Sequence, residues 1–482
     1  MTITVWGRAV ALGRTVALGL ALALVASGCL SVNPTPSNPP TLNLPTNPPT
    51  IQAPTGMPAA ATPAASATVA PTSSSASPSE SPRTTSSPSG STAPGTHGPT
   101  IDPALAAQID AVVAQVPPIR QLQTTKDVPY QFITRDDFRN YLISAADEDT
   151  TPEWRAAEER FLKRLGLLPA DADLNTLLLD LYTAEVAAYY QPQNGTFYII
   201  QTGQPFGPAD KVTTAHEYTH ALQDQHFDLE GVRIKDPAAG DAALAQLSVI
   251  EGDATLTSQE WMIANMSEQE QLQLLNEALG QLNQDQLANM PLILRRQLEF
   301  PYTEGFLFTR DIYGLGGYDA VNQAIQTPPQ STEQILHSDK YYNHEAPVAV
   351  TLGDQSATLG DGWSNVYQQT MGELNIQVLA TGGELPPLNV PGLPAVWPHA
   401  EVAAGWGGDR LDMYENISGA WAIDWETAWD TQADADEFAA RMADLAATFG
   451  GLSRMLPGAE ANSVRVLITS DQQTLDLLSG PR

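Results

Sequence analysis

Beyond residue 100 the apolar positions recur at three- and four-residue spacing over long stretches, the period of amphipathic helices. The pattern predicts helices over Ile101–Val116, Asp136–Ala146, Glu153–Leu165 and Leu174–Tyr190, with Asp137 and Thr151 as starts and Gly166 and Pro169 as stops. Over Ala187–Ile200 the pattern becomes that of a β-hairpin, with Asn194-Gly195 as a type I′ turn signal and Thr196–Ile200 as a strand. Helical spacing returns over Lys211–Gln225, with Asp210 as its cap, and continues over Asp241–Met266 and Glu268–Leu298. Gly252 lies inside the second of these, at a cost of about 1 kcal/mol relative to alanine that close packing against another helix or a metal site would explain. Residues 299–482 are mixed: a glycine break at Gly314–Gly317, strands at Val348–Leu352, Leu411–Tyr414, Ala420–Trp425 and Ser463–Ile468, and a helix over Ala433–Phe449. The expected fold class is α+β, a mainly helical domain with a short sheet over 101–300 and a small α+β module over 301–482.

The first 100 residues read differently. Arg8 and Arg14 precede an uncharged, mostly apolar run from Thr15 to Gly28, the length of an export-signal h-region and too short to span a bilayer. The run ends Val25-Ala26-Ser27-Gly28-Cys29, which resembles a bacterial lipobox, with Ala26 where leucine is usual. Residues 1–28 are therefore expected to be a lipoprotein signal, and Cys29, the sole cysteine, the lipidated residue that anchors the chain to a membrane. Residues 29–100, rich in Pro, Ser, Thr and Ala, are too polar to bury a core and read as a tether with a reach of about 220 Å. Charge narrows the partners. The chain holds 55 acidic against 23 basic residues, a net charge of −32, and such a field repels nucleic acid and anionic surfaces. The expected location is extracytoplasmic, at the cell surface.

The stretch with chemistry is His216-Glu217-Tyr218-Thr219-His220. His-Glu-x-x-His on a helix stacks two imidazoles on one face, where they can hold one Zn²⁺. Glu217 then projects beside the ion as a general base. A hydrolytic zinc needs a third protein ligand, and two candidates compete. His226 has metzincin spacing, but Gln223 stands where that pattern has glycine, and a helix continuing through it would point His226 away. Glu251, in Val249-Ile-Glu-Gly-Asp-Ala-Thr255, could supply a carboxylate from a second helix, with Asp253 or Thr255 as its supporting partner.

The pair of His216-Glu-Tyr-Thr-His220 and Glu251 resembles the gluzincin peptidases. Together with Ser331-Thr-Glu-Gln-Ile-Leu-His337 and Trp406-Gly-Gly-Asp-Arg410, it is similar to a family of prokaryotic surface and lipoprotein metallopeptidases assigned through this zinc motif, over roughly residues 170–480. The resemblance implies a zincin-like catalytic domain, Zn²⁺ on His216, His220 and Glu251, and hydrolysis of a peptide bond in a protein or peptide substrate. Glu217 would take the proton of the attacking water and pass it to the leaving amine. The strand before the histidine helix would form the rim of the cleft and pair with an extended substrate. An oxyanion donor is expected from His337, Tyr302 or Tyr342, with His337 preferred because it stands alone in a polar loop segment. His344 and His399 read as surface residues, and Trp406–Arg410 as a tight turn closed by an Asp/Arg pair. The alternative is an envelope lipoprotein that binds zinc, as a sensor or binding protein, without hydrolysis; an intact Glu217 favours the enzyme.

Overall fold

A computed structural model describes residues 10–13, 102–201, 203–281, 290–386 and 395–480. Cys29, the tether and most of the expected export signal lie outside these residues. Among the described residues no helix is long and apolar enough to cross a membrane.

The architecture is α+β. The first sheet has the order β1-β3-β4-β2, from β1 (Val10–Gly13), β2 (Tyr130–Ile133), β3 (Val186–Gln191) and β4 (Thr196–Ile200). β3 is antiparallel to both β1 and β4, and β2 runs parallel to β4. The helix expected to run to Tyr190 ends at Glu185, because Val186-Ala-Ala-Tyr-Tyr190 supplies a β-branched and aromatic strand with neighbours on both sides. The hairpin forms where expected, but its turn is a four-residue connection in which only Gly195 has positive φ, 66°, and so is not type I′.

α1 (Pro103–Val113), α2 (Val116–Arg120), α3 (Arg135–Asp149), α4 (Pro152–Arg164) and α5 (Leu174–Glu185) precede β3 in the chain, and α3 and α5 pack on this sheet through Phe138, Leu142 and Leu179. Thr134 opens α3 with a capping box, and the Thr151 hydroxyl accepts from Trp154 N at 3.2 Å to open α4. The histidine stretch lies in α6 (Pro208–Phe227), where Pro208 fixes the first turn and Asp210, at the third helical position and not at the N-cap, reaches back to accept from Gly207 N at 2.7 Å. It is followed by α7 (Gly240–Asn265) and α8 (Glu268–Gln281). The single helix expected over Glu268–Leu298 is instead α8 and the start of a 35-residue helix, α9 (Leu292–Gln326).

α9 runs through the boundary expected at 300/301. Its residues 301–326 pack on α7 and belong with the helical part, since Phe306, Phe308, Ile312 and Val321 share a core with Leu244, Val249 and Leu256. The expected glycine break bends α9 at Gly316 and Gly317, whose φ/ψ of −155/20° and 63/−155° are non-helical. Two short helices follow, α10 (Thr332–Leu336) and α11 (Ser338–Tyr342).

The C-terminal part is a five-stranded antiparallel sheet, order β5-β6-β7-β9-β8: β5 (Trp363–Gln369), β6 (Trp406–Asn416), β7 (Trp421–Trp429), β8 (Leu452–Pro457) and β9 (Ser463–Thr469). α12 (Gly372–Ala380), α13 (Gln432–Asp444) and α14 (Gln472–Leu478) accompany it. Phe161 and Leu165, at the end of α4, enter the same core as Trp425, Phe438 and Met442, so the first and last thirds of the described fold share one interior. Val348–Leu352 is not a strand; Val348 N donates to Gly407 O at 2.6 Å beside the start of β6.

α7 and α9 touch backbone to backbone. A Cβ on Gly252 would lie 2.3 Å from Gly305 O, and one on Gly305 would lie 2.4 Å from Ser248 O. Neither clash can be relieved by a side-chain rotation. Gly252→Ala is expected to destabilise the protein by about 1–3 kcal/mol. Gly314→Ala, at an exposed position of α9 with nothing near its Cβ, is expected to stabilise it by up to about 1 kcal/mol. Urea unfolding of the two variants checks the difference in sign.

Candidate metal centre

α6 turns His216 and His220 to one side, and α7 brings Glu251 against them. His220 Nε2 lies 2.9 Å from His216 Nε2, and Glu251 Oε2 lies 3.0 Å from His216 Nε2 and 3.4 Å from His220 Nε2. The two histidines are fully buried and Glu251 is 2 % exposed. Burial holds His216 neutral, with its pKa down at about 4. Burial also raises Glu251, but the two imidazoles outweigh it and keep the carboxyl below its ordinary value. Neutral imidazole and ionised carboxylate are the forms that bind a metal.

The proton count favours a cation. The Gln223 amide nitrogen donates to Ile250 O and to Asp253, so its Oε1 faces His220 Nδ1 at 2.8 Å and takes the ring's N–H. That leaves a lone pair on His220 Nε2. Two lone-pair donors and His216 then converge with a single proton to share among them. A tetrahedral ion with bonds of about 2.0–2.1 Å separates its ligands by roughly 3.4 Å, close to the spacing here. His216 Nδ1 is buried without a hydrogen-bond partner among the described residues, so the two rings are held by different means.

Glu217, fully buried one residue after His216, accepts from Tyr190 N of β3 at 2.9 Å through Oε2. Glu217 is thereby tied to β3. Tyr302, from α9, packs its ring 6.1 Å from that of His216, centroid to centroid, and its hydroxyl donates to Glu251. Burial, with Glu251 and Glu217 beside it, pushes the Tyr302 hydroxyl well above its ordinary pKa, so it stays a donor. Tyr182, at the end of α5, is likewise raised by burial and by Glu251.

The other candidates lie elsewhere. α6 stays helical through Gln223, and His226 is exposed with Nε2 2.8 Å from Gln123 O. His337, the expected oxyanion donor, pairs through Nε2 with Glu373 Oε1 at 3.0 Å, where Lys340 also binds Glu333 and Asp430. His337 is not among the residues that group with His216, His220 and Glu251; it reads as loop in sequence because α10 is only five residues long. Tyr342 lies against Tyr341, and among the described residues Thr255 has no hydrogen-bond partner for its hydroxyl, whereas Asp253 has the supporting contact.

Trp406–Arg410 is the start of β6 rather than a tight turn. Asp409 does not pair with Arg410. It accepts from Met371 N and Gly372 N at 2.9 Å each and from the indoles of Trp406 and Trp425, while Arg410 binds Asp412 and Gln368. Gly372, at φ 70°, passes so close to Asp241 that a Cβ would lie 1.7 Å from Oδ1, and Asp241 accepts from the Thr332 hydroxyl at 2.6 Å. Both segments thus clasp the N-terminus of α7 to the C-terminal sheet.

Sequence reasoning missed the roles of Tyr182, Tyr190 N, Gln223 and Arg120. Gln223 was legible, since it stands seven residues after His216 and three after His220, on the same helix face. Residues 358–481 match a family described as a domain of unknown function, DUF8575, which covers the C-terminal sheet and not His216, His220 or Glu251. No curated protein and no solved structure matches the chain.

Equilibrium competition for zinc checks the ligand set. Glu251→Ala is expected to weaken binding by about 100-fold or more, and His226→Ala to leave it unchanged.

Proposed function

We propose that this chain is a zinc-dependent peptidase of the gluzincin kind, with a zincin-like helical domain, held outside the cytoplasm by a lipid on Cys29. The convergence of His216, His220 and Glu251, with Glu217 beside them, carries this reading. Zinc held there supplies Lewis acidity toward a carbonyl oxygen and toward water. Glu217 is the base that takes the proton of the attacking water and returns it to the leaving amine. Its bond from Tyr190 N aims the carboxylate along β3. Tyr302, kept protonated, turns its one hydrogen from Glu251 to the developing oxyanion, a role for which sequence reasoning offered His337 first, with Tyr302 and Tyr342 beside it.

β3 is the rim on which an extended peptide would lie. β1 already runs antiparallel along it, pairing Val10 with Tyr190 and Leu12 with Ala188, and touches α6. That edge is therefore competent for strand addition. Residues 10–13 belong to the expected export signal, so processing at Cys29 would release this edge. With β1 in place, His216, Glu217 and His220 are fully buried.

Zinc content and hydrolysis of an unfolded protein substrate test the assignment. Glu217→Gln should keep its zinc and lose hydrolysis by about 10²–10⁴-fold; a wild type without zinc overturns the proposal. Tyr302→Phe should lower kcat by about 10²–10³-fold with KM little changed. A chain beginning at residue 30 should cleave faster than the unprocessed chain, and equal rates would remove β1 from the scheme.

A further inference from the structure

His220 is the ligand with a built support. Its Nδ1 meets Gln223 Oε1 at 2.8 Å, and the Gln223 amide nitrogen reaches Asp253 Oδ2 at 2.7 Å. Asp253 in turn accepts from Arg120 Nε at 2.9 Å through the same Oδ2, and its Oδ1 lies 2.7 Å from that nitrogen within the ion pair. Arg120 Nη2 donates to Asn322 Oδ1 at 2.7 Å, and the guanidinium lies 4.6 Å above the ring of Tyr318, whose hydroxyl donates to Glu260. All four members, His220, Gln223, Asp253 and Arg120, are fully buried.

The chain spans four elements: α6 for His220 and Gln223, α7 for Asp253, α2 for Arg120 and α9 for Asn322 and Tyr318. Its chemistry is directional. A carboxylate and a carbonyl only accept, so Asp253 takes one amide hydrogen of Gln223 and Ile250 O the other, which turns the amide oxygen toward His220. The amide oxygen then takes the Nδ1 hydrogen and leaves Nε2 free to face Glu251. Glutamine cannot titrate near neutral pH, so the link fixes a tautomer and an orientation without moving a proton. Arg120 neutralises Asp253, which a site closed to water requires.

We propose that Gln223, Asp253 and Arg120 form a relay that orients His220 toward the metal, which makes α2 a working part of the site and not a removable cover over it. This rests on the zinc reading above. All three are positioning residues. None touches the reacting atoms, and an effect of theirs passes through His220.

The test uses the full chain and compares the wild type with Gln223→Met and with Arg120→Met/Asp253→Leu, which removes both buried charges together. Zinc affinity is read by chelator competition, and the ligand field by the visible spectrum of the cobalt-substituted protein; thermal melting with chelator present establishes that each variant is folded. The expected result is a 10–100-fold loss of zinc affinity in each folded variant, with a shifted cobalt spectrum. If the double variant does not fold, Gln223→Met alone decides. Wild-type affinity and spectrum in a folded variant overturn the relay while leaving the zinc reading intact. A wild type that takes neither zinc nor cobalt overturns both.

Discussion

The contact on which the molecule depends is the crossing of α7 and α9 at Gly252 and Gly305. With no Cβ on either side, the two backbones meet at distances that no side chain could bridge, 2.3 and 2.4 Å for added Cβ atoms. Glu251 adjoins one of these glycines, and Tyr302 lies one helical turn before the other. The crossing therefore fixes the carboxylate and the phenol together, and α6 needs only to lay its histidine face across them. Helices kept apart by larger residues would carry Tyr302 away from Glu251.

Such a site has to be paid for in buried polar groups. His216, Glu217, His220, Gln223 and Asp253 are all closed to solvent. Each of them has a named contact: Glu251 for His216, Tyr190 N for Glu217, Gln223 for His220, and Arg120 for Asp253. The same logic holds at the N-terminus of α7, where Asp241 and Asp409 are both raised, chiefly by burial, yet receive donors from Thr332 and from the backbone of Met371 and Gly372. Two buried polar clusters hold the two ends of one helix segment, and Glu251 lies between them.

Much of this was legible. The 3.6-residue period located most of the helices, and the histidine spacing placed two rings on one face before any coordinates. Gly252 announced a close approach by its cost alone. Helix geometry counted against His226 without removing it, and α6 does continue through Gln223. What sequence could not carry was contact between distant segments. Arg120 and Asp253 are 133 positions apart, and neither has a local pattern that names the other. His337 looked isolated because its partner, Glu373, lies 36 residues on. Trp406–Arg410 read as a turn because two glycines suggest one; they stand instead where Val348 crosses the strand, with its carbonyl 2.2 Å from a Cβ added to Gly408. The helix ending at Glu185 gave way to β3 because sheet neighbours outweigh local propensity.

The most direct test of the site is X-ray absorption at the zinc edge on purified protein equilibrated with one equivalent of zinc. Two imidazole nitrogens at about 2.0–2.1 Å and one carboxylate oxygen at about 2.0–2.2 Å are the expected shell. A shell with one imidazole or none, or protein that retains no zinc, would contradict the assignment of His216, His220 and Glu251 as a metal site.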